Sequence, residues 1–206
     1  MEDTGRNSWV TNERLFRVVW ALFCVVFLVC AVLLQVASHE PPQKSGTVVD
    51  QFNSTLLWVG SVVALLIATE RPRPVWKVLF WLGATAALAA LAIDEVYEFH
   101  EETRFSLGDD DYIKMLFWLA GVFGALLFYR VARPTREVVG VLVLAVVCQG
   151  LWLLTDMGDG DFFTLPIPRP TLLWLEELLE ILTSQCALTA LLVHCRNTLR
   201  AGPKNG

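Results

Sequence analysis

Between positions 93 and 102 the chain reads Ile-Asp-Glu-Val-Tyr-Glu-Phe-His-Glu-Glu, directly after an alanine-rich apolar run and with no turn signal between them. Asp94, Glu95, Glu98, Glu101 and Glu102 are thereby delivered, with His100, to the mouth of a segment apolar enough to lie in a membrane. A second acidic group, Glu176, Glu177 and Glu180, stands near the start of another apolar run, and a lone Asp156 closes a third. On a helix advancing ~100° per residue the five acids of the first group share about a third of the circumference, while His100 points away from that arc. Ionisable groups are costly at membrane depth, so they face a bundle interior or water and often mark function. Carboxylates packed together there must hold protons, bind a cation or meet basic partners. Basic partners are scarce beside them, since Arg104 and Arg169 are the only arginines on that side of the chain.

The expected site therefore comprises Asp94, Glu95, Glu98, His100, Glu101, Asp156, Glu176, Glu177 and Glu180. An oxygen-rich set of this kind suits protons or a hard divalent ion such as Ca²⁺ or Mn²⁺, and the histidine shifts the choice toward Mn²⁺ or Zn²⁺. The competing explanation is that Glu176 and Glu177 merely complement a helix N-terminus, where negative charge is favoured. It accounts less well for Glu180, which stands further along the run.

The elements that must position these groups are membrane helices. The chain has 206 residues, 55% of them hydrophobic. Its apolar residues gather into blocks long enough to cross a bilayer rather than into soluble-type amphipathic patterns. Six blocks are read, at residues 15–37, 52–69, 75–97, 113–132, 138–155 and 172–194. The expected class is all-α, a six-helix multi-pass bundle over residues 15–195, with polar segments at 1–14 and 196–206. Thr171 is the expected N-cap of the last helix. The third block carries Gly83, Ala84, Ala86, Ala87, Ala89, Ala90 and Ala92, which predicts the most enclosed helix, because small residues let neighbours approach. Gly121 and Gly124 predict a second close-packing patch. The five cysteines read as packing thiols, and the Asn53-Ser54-Thr55 glycosylation pattern reads as chance, since it abuts a span.

The net charge of −5 conceals a polarity. With six spans, twelve of the sixteen Lys and Arg residues fall on the side of both termini, and sixteen of the twenty-one acids fall on the other. Basic loops stay in the cytoplasm, so both termini are expected there, in a cell membrane, the inner membrane if the source is bacterial. The opposite face is a negative field that concentrates cations. Lipid and cations are the expected partners, with a second copy or a larger membrane complex on the small-residue faces; nothing points to nucleic acid.

Three known chemistries can be tested by spacing. A di-iron bundle wants Glu-x-x-His on two helices, but Tyr97 precedes His100 by three and Leu191 precedes His194 by three. The Glu-Glu-x-x-x-Arg of CAAX-processing intramembrane proteases begins at Glu176 and Glu177 and fails at Ile181. Hydrolases of the progestin-receptor and alkaline-ceramidase type need three clustered histidines, and the three here are dispersed. The combination of Asp94, Glu95, His100 and Glu101, then Asp156, then Glu176, Glu177 and Glu180 resembles a group of small bacterial multi-span membrane proteins. Those carry a D-[DE]-x₄-H-E stretch and a later paired-acid helix. The likeness covers roughly spans three to six, and it implies a shared architecture without an activity to transfer. Cation transport, sensing or handling is the expected function. The alternatives are a metal- or carboxylate-dependent enzyme acting on a lipid and a structural subunit of a membrane complex.

Overall fold

The computed structural model describes residues 48–69, 74–97, 110–157 and 166–200, together with scattered positions between 17 and 36. The chain divides into two compact units, residues 1–40 and 41–206. In the first unit, positions 17, 20, 21, 24, 25, 28, 29, 32, 33 and 36 are helical, all within the first expected span.

The second unit holds five helices: α1 (Val48–Thr69), α2 (Val75–Tyr97), α3 (Asp110–Ala132), α4 (Arg136–Met157) and α5 (Arg169–Arg200). Among the described residues every regular element is helical. Each of the five is long and apolar enough to cross a membrane. At 1.5 Å per residue, a helix of 22 residues such as α1 spans roughly 33 Å, the thickness of a hydrocarbon core with little to spare. Spans two and four to six run two to six residues beyond one or both expected ends. Apolarity marks the bilayer, whereas a helix stops only where its backbone finds another solution. At α5 that start is Pro168, whose carbonyl accepts from Thr171 N at 2.9 Å and Leu172 N at 3.1 Å. Thr171 is therefore inside the first turn and is not the N-cap. At the other end of the bundle α3 stops on Arg133, in the left-handed region at φ 47°, followed by Pro134, a pairing that suits a helix C-terminus.

The most extensive packing runs along a path, with lighter contacts from α2 to α3 and α5. α1 lies against α2 and α5, and α4 lies against α5 and α3. The core thus forms on α1 and α5, which bury eleven and nine residues, while α2 buries only Trp81 and Ala92. This corrects the expectation that the alanine-rich helix is the most enclosed. Ala86, Ala87 and Ala90 are exposed, and a Cβ placed on Gly83 meets nothing within 4 Å. Small residues permit close approach, but only the face turned toward α1 uses the permission. Of the second glycine patch, Gly121 is close-packed, because a Cβ there would sit 2.6 Å from Gln149 Oε1, whereas Gly124 is open.

Two hydroxyls pin α1 to α2. Ser54 Oγ donates to the Ala92 carbonyl at 2.7 Å, and Ser61 Oγ donates to the Thr85 carbonyl at 3.0 Å. The donors are seven residues apart and so are the acceptors, in opposite directions, which defines an antiparallel register over two turns. Ala92→Leu should accordingly destabilise by about 1–3 kcal/mol through overpacking, and Ala87→Leu should be near neutral. Thermal unfolding in mild detergent reads both, and an equal loss at Ala87 would mean that its face is covered.

Candidate functional site

The side of α2 that faces α1 is the run Trp81, Thr85, Leu88, Ala92, Glu95, spaced four, three, four and three. Because Ala92 is held by Ser54, the next position on that face, Glu95, is carried to the outer turns of α1. There its side chain hydrogen-bonds Asn53, and it also hydrogen-bonds Glu180 of α5. Asp50 and Asp94 lie near enough to act on it electrostatically. Glu95, Asp94, Asp50 and Glu180 are all half-buried, and Asn53 is 2% exposed.

The donors in this cluster can be assigned. Asn53 Oδ1 is buried without a hydrogen-bond partner, so the amide reaches Glu95 through its Nδ2. Two ionised carboxylates cannot donate to each other, so a hydrogen bond between Glu95 and Glu180 requires that one of them hold a proton. The arrangement is a three-helix polar junction: α1 contributes an amide donor and an orphan acceptor, α2 and α5 contribute a carboxyl pair. In an apolar surrounding each of these groups would be expensive alone.

The helix N-terminus does not explain the α5 acids. α5 begins at Arg169 and carries no acid in its first turn, so Glu176 stands about two turns in and Glu180 about three. The macrodipole effect falls off within the first turn.

Of the expected site residues, the structure brings Glu95 and Glu180 into contact, with Asp94 beside them. Asp94 is one position, ~100°, off the α1-facing run. Glu176 and Glu177 are half-buried on the same helix as Glu180. Asp156 is half-buried in the last turn of α4, a helix that packs on α5 and α3. Glu98, His100 and Glu101 lie outside the described residues. Among the described residues no group of three or more His, Cys, Asp or Glu is arranged to hold a metal ion.

Asp50 and Asn53 were not expected. For Asn53 a signal was available, since it stands on a stripe with Leu57, Gly60, Ser61, Ala64, Ile67 and Ala68, all buried in the structure. A polar side chain at the outer end of a small-residue packing stripe is placed to meet whatever that stripe faces. Burial within α1 also removes Asn53 as a glycan acceptor, as the sequence led us to expect.

Residues 51–195 match the family described as Domain of unknown function (DUF8692). The chain belongs to this family. The matched segment begins within α1 and ends at Cys195 in α5, so it contains both halves of the carboxyl pair and the asparagine that closes it. No curated protein and no solved structure matches the chain.

Removing the Glu95 side chain should leave the Asn53 amide buried without its acceptor. Glu95→Ala is expected to cost about 1–3 kcal/mol. Glu95→Gln keeps a donor toward Glu180 and should cost clearly less. Ser54→Ala, which removes one interhelical hydrogen bond, should cost about 0.6 kcal/mol, the average for such bonds in membranes. Unfolding of all three in one detergent gives the order directly, and Glu95→Gln falling as far as Glu95→Ala would contradict the shared-proton geometry.

Proposed function

We propose that this protein handles protons at the acid-rich end of a membrane bundle, with the Glu95–Glu180 pair as the proton-binding group. The observation that carries the reading is the carboxyl–carboxyl hydrogen bond across α2 and α5. A pair of acids in that contact binds a proton by construction, and a divalent ion would have to displace it. The orphan Asn53 Oδ1 gives independent support. A buried acceptor beside the pair is suited to a water or hydronium that delivers the proton. Asp50 and Asp94 add negative potential around the junction and favour the arrival of positive charge. The divalent-ion version of the expectation is the weaker one, because no ligand set of the required size is assembled among the described residues.

The proposal includes the full topology read from the sequence: six crossings, the first at residues 15–37, with both termini in the cytoplasm of a cell carrying this protein in its plasma membrane. On that topology the carboxyl pair faces outward, which suits a proton carrier or a sensor of external acidity.

Infrared spectroscopy of the protein in lipid tests the site. A protonated-carboxyl band that shifts in D₂O should be present in the parent and absent from both Glu95→Gln and Glu180→Gln. Absence of the band, or its survival in both variants, overturns the proposal. Proton flux into proteoliposomes, lost in the same variants, would then distinguish a carrier from a sensor.

A further inference from the structure

A second polar feature lies at the opposite, arginine-rich end of the bundle. Here Trp81 of α2 stacks on His194 of α5, with centroids 5.6 Å apart and planes 19° from parallel, and Phe128 of α3 meets both rings edge-on at 5.5 and 5.3 Å. Trp81 is 1% exposed and His194 8%. The cluster closes one wall of a cavity of about 220 Å³ at the start of α2 and the ends of α3 and α5, also lined by Lys77 and Thr198. That volume is well above the ~10–15 Å³ that one water needs.

The chemistry of the wall is one-sided. Trp81 contributes an indole N–H that is buried and has no hydrogen-bond partner, although a buried indole N–H usually finds one. Lys77, whose Nζ stands 5.3 Å from the centre of the Trp76 ring at the rim, contributes an ammonium with three donors. Thr198 already donates to the His194 carbonyl at 2.9 Å. Among the described residues no carboxylate lines the cavity. The first turn of α2, a helix of 23 residues, forms the rim, and its N-terminal end favours negative charge. In the adjoining connections of the sequence Arg71, Arg73, Arg133 and Arg136 outnumber Glu70 and Glu137. A wall of donors with no acid among them selects an anion with several acceptor oxygens.

We propose that this cavity binds a phosphate group, with Lys77 and Trp81 Nε1 as its donors and the His194 ring holding Trp81 in place. Its position at one end of the membrane-crossing helices admits two sources, the headgroup of an anionic phospholipid and a free phosphate.

The test is the melting temperature of the full chain in detergent with added inorganic phosphate, phosphatidic acid or diacylglycerol, the last having the same chains without the phosphate. Phosphate or phosphatidic acid should raise it saturably, and diacylglycerol should not. Lys77→Gln should weaken the apparent affinity about tenfold or more, as for loss of a hydrogen bond to a charged group. Trp81→Phe keeps a ring on His194 and removes the N–H, and it should also weaken the response. Arg169→Gln, at the far end, should not change it. A response to phosphatidic acid alone assigns the site to lipid, and a response to inorganic phosphate assigns it to the free anion; either upholds the proposal. No response to either, an equal response to diacylglycerol, or an undiminished response in Lys77→Gln overturns it, whether or not Trp81→Phe folds.

Discussion

In a bilayer, helices gain little by hiding leucine from lipid, since lipid tails are as apolar as the protein interior. Association rests on close van der Waals approach and on hydrogen bonds between helices. In this protein both act along the α1–α2 contact, where Ser54 and Ser61 donate to backbone carbonyls of α2. The two bonds set the rotation and the height of α2 together. Once Ala92 is opposite Ser54, Glu95 has no alternative but to arrive beside Asn53, and the carboxyl pair with Glu180 becomes geometrically available. A shift of one residue would turn Asp94 inward instead and leave a buried amide without its partner.

The same register reaches the other end of the bundle. Trp81 and Glu95 are fourteen residues apart on α2, and Glu180 and His194 are fourteen apart on α5, roughly 21 Å on each helix. Because the helices run in opposite directions, Glu95 meets Glu180 at one end and Trp81 meets His194 at the other. α1 packs alongside between these two contacts, where a Cβ added to Gly60 would meet Leu88 and Leu191 at 3.6 Å each. The result is a seam with a polar junction at each end and apolar packing in the middle. On the proposed readings the acid-rich junction holds positive charge and the donor-rich one negative charge. That opposition agrees with the distribution of charged residues along the sequence, where acids crowd one set of loops and arginines the other.

What the sequence determined by itself is the all-helical class, the position of five helices long and apolar enough to cross a membrane, and the separation of acids from arginines along the chain. Length of apolar runs, loop charge and the cost of burying carboxylates are all local quantities, so they can be read without knowing what touches what. It also located the acidic turns, including Glu95 and Glu180. It did not determine which helix is central, because the alanines of α2 license contact on every side and say nothing about which side is used. Nor did it determine that Glu95 rather than Asp94 pairs with Glu180, or that Asn53 and Asp50 join them. Those are matters of rotation about the helix axis. In a soluble helix an apolar stripe would reveal that rotation, but here lipid and core are equally apolar and the stripe is absent. Only the tertiary structure, through two serine hydroxyls and the faces they bring together, decides it.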